Sequence, residues 1–259
     1  MLWNSSWLVV AHVIKKGLSV MNDSIKLFRT YYADLLIPNG FIFRDGKFVR
    51  VIPNVGAIFV YFKSRKTIHD ILVSVVSFAQ QPVSIQELIR NNDVHIWTLR
   101  RKFINYRFQY DSIYEFLIQS LYIFKQSVYP EIVKISNAKD ILTFYVNLIK
   151  EYSIDDTVWY YDVRIAAAMQ SHEYGYVLET TDILEKHLRR KLNQDHEFDD
   201  VFNGNLSRRN DNIEFRLKDI KLIRDIIHNN DTYYICQLLN RRITYWDNIF
   251  NNRYTSFYK

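Results

Sequence analysis

Apolar residues first recur at helical spacing behind Asn22-Asp23, where Ile25, Phe28, Tyr32 and Leu35-Leu36 predict a helix over residues 22–37. Pro38-Asn39-Gly40 ends it. The period then shortens to that of strands. Residues 41–44 and 47–52 flank Asp45-Gly46, a two-residue turn whose positive-φ demand suits Asp-Gly and predicts a tight hairpin. Residues 55–62 follow Pro53-Asn54, and the β-branched run IHDILVSVVSF over residues 68–78 is closed by Gln80-Gln81-Pro82. One helix and four strands make a small antiparallel sheet the expected N-terminal structure.

After Pro82 the pattern turns helical. Residues 84–91 and 94–105 read as two short helices around Asn91-Asn92-Asp93. Residues 111–127 are amphipathic, with Ile113, Phe116-Leu117, Ser120-Leu121 and Phe124 on one face and Ser112 and Glu115 in capping-box positions. Pro130 is expected to interrupt. Further helices are predicted at residues 137–149, 155–171, 175–192, 213–229 and 232–240 or beyond, with residues 193–212 as the main loop. Ala166-Ala167-Ala168 and the turn from His172 to Gly175 give one antiparallel helical hairpin that resembles the tetratricopeptide type. No second copy recurs at a fixed period.

The expected fold class is therefore α+β: an N-terminal helix with a small antiparallel sheet, then an all-helical C-terminal half. Residues 1–21 read as an N-terminal extension, 22–81 as helix plus sheet, and 82–259 as a helical region packed on the sheet as one body. The apolar run Trp7–Ile14 lacks a basic start and a cleavage site, and it falls short of the ~20 residues that span a bilayer. Met21 before Asn22-Asp23-Ser24 is an alternative start, which would make residues 1–20 either a translation-start artefact or a docking segment. A soluble, cytoplasmic protein with no membrane partner is expected.

Composition narrows the function classes. Six glycines and four prolines lie far below the usual ~7% and ~5%, which disfavours loop-rich β designs and disordered chains. The single Cys236 allows no internal disulfide, and its flanks Tyr233-Tyr234-Ile235 and Leu238-Leu239 predict a buried thiol. None of the seven histidines has a second ligand at metal spacing. There is no glycine-rich phosphate loop and no Gly-x-Ser-x-Gly elbow. Asp155-Asp156 and Asp199-Asp200 fit helix-start and loop acids better than an acid/base pair. The expectation is a non-enzymatic protein with no cofactor, no metal and no catalytic residue.

Two features point to a macromolecular partner. In the first, residues 84–103 form a helix-turn-helix in which Ile85, Leu88, Ile89, Ile96, Leu99 and Phe103 face the core. Trp97, Thr98, Arg100, Arg101 and Arg107 would then face outward toward DNA. From Arg90 to Arg107, five bases stand against the single acid Asp93, a net +4, within a chain of formal charge +6. The second feature is aromatic content, 16% of the chain. Clusters such as Tyr31-Tyr32, Trp159-Tyr160-Tyr161, Tyr233-Tyr234 and Tyr245-Trp246 exceed what an interior absorbs, because Tyr and Trp carry polar tips. Trp159, Tyr160, Tyr245 and Trp246 are the protein-interface candidates.

The run LIPNGFIFRDGKFVRVI from Leu36 to Ile52, with Val128-Tyr129-Pro130 after an amphipathic helix, resembles an uncharacterised bacterial family known only as a domain of unknown function. The resemblance spans roughly residues 22–150 and implies a bacterial α+β protein. It assigns no site residues. The leading expectation is a cytosolic protein-interaction module, by analogy with immunity and other accessory proteins of bacterial conflict systems. The alternative is a DNA-binding regulator.

Overall fold

The computed structural model describes residues 23–65, 68–82, 86, 89, 93–95, 113–152, 158–198 and 206–255. Helix α1 covers residues 23–36 and tightens into a 3-10 turn at Ile37–Asn39. Gly40, at φ 82°, closes it: the Phe41 N–H reaches Leu36 O and the Gly40 N–H reaches Ile37 O, the paired bonds of a left-handed helix cap. Strands β1 (Ile42–Arg44), β2 (Lys47–Ile52), β3 (Gly56–Arg65) and β4 (Ile68–Ser77) follow. Asp45 (φ 52°) and Gly46 (φ 74°) turn β1 into β2, with Ile42 opposite Val49 and Arg44 opposite Lys47. Pro53 and Asn54 (φ 59°) make the next turn, in which the Val55 N–H bonds Ile52 O. The sheet is antiparallel, as the sequence predicts.

A fifth strand was not expected. Asp93–His95 forms β5 and pairs antiparallel with β4, Leu72 opposite His95 and Ser74 opposite Asp93, so the sheet order is β1-β2-β3-β4-β5. The sequence reading gave these residues to a turn and a helix start. A three-residue strand is too short to show a period, while the open edge of β4 offers a row of backbone partners.

The helices are α2 (Ile113–Ile123), α3 (Tyr129–Lys134), α4 (Ala138–Tyr152), α5 (Val158–Gln170), α6 (Tyr174–Phe198), α7 (Leu206–His228) and α8 (Thr232–Phe250). Pro130 does not interrupt. A π-helical stretch, Phe124–Val128, carries α2 into α3, with the Tyr129 N–H bonded to Phe124 O. The wider turn shifts the carbonyl that a proline ring would otherwise strike. The expected loop at 193–212 is also shorter than read, since α6 runs to Phe198 and α7 starts at Leu206. The one glycine of that stretch, Gly204, falls between them.

The chain gathers into two compact units. The first comprises residues 1–51, 58–74 and 93–134, and the second residues 52–57, 75–92 and 135–259. The first has an aromatic core. Phe28 packs on Tyr32, Phe43, Phe48 and Phe62 at centroid distances of 4.8–6.4 Å, and the buried Tyr32 hydroxyl meets Ser120 Oγ at 3.0 Å. Arg50 stacks over Phe41 and donates to the carbonyls of Ile132 and Val133, satisfying the end of α3. In the second, the buried Tyr145 hydroxyl donates to Val75 O at 2.6 Å. Gly56 admits no larger residue, because a Cβ there would sit 2.1 Å from Val76 O.

Candidate functional site

Helix α8 presents opposite chemistry on its two faces. It begins at Asp231, whose carboxylate accepts the Tyr234 N–H. Ile235, Leu239, Arg242, Trp246 and Phe250 recur at steps of four, three, four and four and are all buried. Their polar atoms are satisfied within the second unit. Trp246 donates Nε1–H to Gln80 O at 3.0 Å, and Arg242 donates to Ala79 O at 3.3 Å and to Asp219 at 2.6 Å. The neighbouring Asp247 accepts the Asn54 N–H, while Gln170 donates to Asn54 O. The turn after β2 and the turn after β4 are thus tied to helix side chains.

The outward face carries Tyr233 at 71% exposure, Tyr234 at 50% and Tyr245 at 43%, together with the exposed Arg241. Tyr234, Arg241 and Tyr245 lie at i, i+7 and i+11, one stripe along the helix. Tyr245 stands edge-on to the buried Trp246 at 5.0 Å. Cys236 is exposed, contrary to the buried thiol expected from its apolar flanks. Those flanks, Ile235 and Leu239, face the core, and a helix turns the residue beside them about 100° away.

Below this face lies an ion network. Asp162 on α5 pairs with Arg216 on α7 at 2.7 Å, and Asp219 one turn on pairs with Arg242. Asp162 keeps 31% side-chain exposure, yet burial of its carboxyl prevails and pushes its pKa up to about 6. Asp219 adds to the rise, and Arg216 and Arg242 oppose it. Each acid of the pair is held by its own guanidinium, a clamp joining α5, α7 and α8. A groove of about 610 Å³ beside α6 and α7, lined by Glu185, Arg189, Lys218, Lys221, Arg224 and His228, is likewise crossed by the protein's own ion pairs. Glu185 takes both Arg189 and Arg224, and their hydrogen bonds hold its carboxyl below the usual range. Among the described residues, no three His, Cys, Asp or Glu side chains are grouped to hold a metal ion. No described helix is long and apolar enough to cross a membrane.

The sequence-based interface residues separate. Trp246 is fully buried and Tyr160 is 7% exposed, its ring 5.5 Å from Tyr145, so both belong to the core rather than a surface. Among the described side chains of the four, only Tyr245 is displayed. The Trp159 side chain lies outside the described residues, as do Trp97, Thr98, Arg100, Arg101 and Arg107. Of the helix read at 84–91, only Gln86 and Ile89 lie within the described residues, both helical. The strand Asp93–His95 stands where the turn and second-helix start were read. Tyr233, Tyr234 and Arg241 were not among the site residues singled out from sequence. Tyr233-Tyr234 was noted as an aromatic cluster inside the predicted helix, and following the 3.6-residue period of α8 past Asn240 would have joined Arg241 and Tyr245 to Tyr234 on one stripe. Comparison with protein-family models, with curated proteins and with solved structures gives no match.

Proposed function

We propose that this chain is a non-enzymatic binding protein that recognises another protein through the outward face of α8. The observation that carries this reading is the exposed stripe of Tyr234, Arg241 and Tyr245, flanked by the exposed Tyr233, on a helix whose other face is locked into the core. Tyr and Arg are residues in which binding energy concentrates: Tyr offers large contact area with few rotors to freeze, and Arg a planar head with several donors. Tyr245 is already held by Trp246, so little ordering cost remains for it on binding. Arg241 among tyrosines selects a partner face with an apolar socket beside a carboxylate.

The test places a photo-crosslinking amino acid at Tyr234 or Tyr245 in cells, with Glu131 as an exposed control in the other unit. A discrete adduct at 234 and 245, absent at 131, is the expected result. Adducts equal at all three positions would refute the assignment. Once the partner is in hand, Tyr245→Ala should weaken it at least tenfold, about 1.4 kcal/mol.

A further inference from the structure

We draw no further inference here: the strongest candidate, the exposed ridge of Tyr114, Ile118 and Tyr122 on the outer face of α2, carries nothing because nothing among the described residues shows what covers it.

Discussion

Trp246 shows how much one side chain can hold. It is fully buried, and its indole N–H satisfies Gln80 O. Trp246→Phe keeps most of the volume and strands that carbonyl, so it should cost about 1–3 kcal/mol in urea unfolding. Trp246→Ala should cost about 3–5 kcal/mol. Gly56→Ala should lower stability by about 1–3 kcal/mol or more in the same assay, since the added Cβ must push Val76 O aside. Asp162 sets a pH dependence. Its pKa stands at about 6 in the fold against 3.8 ordinarily, so the fold binds more protons between those values. The stability this residue contributes is full below pH 3.8 and is lost as pH rises through 6. Asp162→Asn should flatten the fall in melting temperature measured between pH 4 and pH 7.

At the scale of elements, legibility followed the length and chemistry of each signal. Asp45-Gly46 and Pro53-Asn54 were readable because few residues tolerate positive φ, and both turns appear where expected. The cap residues His172 (φ 61°) and Asn230 (φ 53°) close α5 and α7 in the same left-handed geometry as Gly40. Neither is glycine, yet both breaks were legible: the helices predicted at 155–171 and 213–229 end beside them. Asn230→Ala should destabilise by about 1 kcal/mol, while Asn230→Gly should not, as thermal unfolding would show. Pro130 misled for the opposite reason: a strong local breaker was absorbed by a π-helical turn that no local pattern marks. The adjacent pair Tyr245-Trp246 could not be divided into surface and core by composition. The run Ile235, Leu239, Arg242, Trp246, Phe250 divides it, provided the helix is followed to its end.

For the molecule as a whole, the α+β class was legible, while the exposed tyrosine face of α8 was not. Exposed tyrosines look like core tyrosines until a helix face is assigned. The DNA reading rested on a net +4 segment whose outward residues lie outside the described structure, and whose first part, Asp93–His95, is a strand. We expect a salt titration against mixed-sequence duplex DNA, followed by fluorescence anisotropy, to give a flat trace. Micromolar binding that collapses with salt, about one unit of log–log slope per phosphate contact, would reverse that expectation.

Strands β3 and β4 each contribute residues to both compact units, and the chain passes between the units five times. The consequence is one of heredity. No single crossover in the gene can deliver either unit intact without severing the other, since even a cut after Lys134 leaves residues 52–57 and 75–92 with the wrong fragment. A recombinant that inherited either unit alone would therefore carry an incomplete fold.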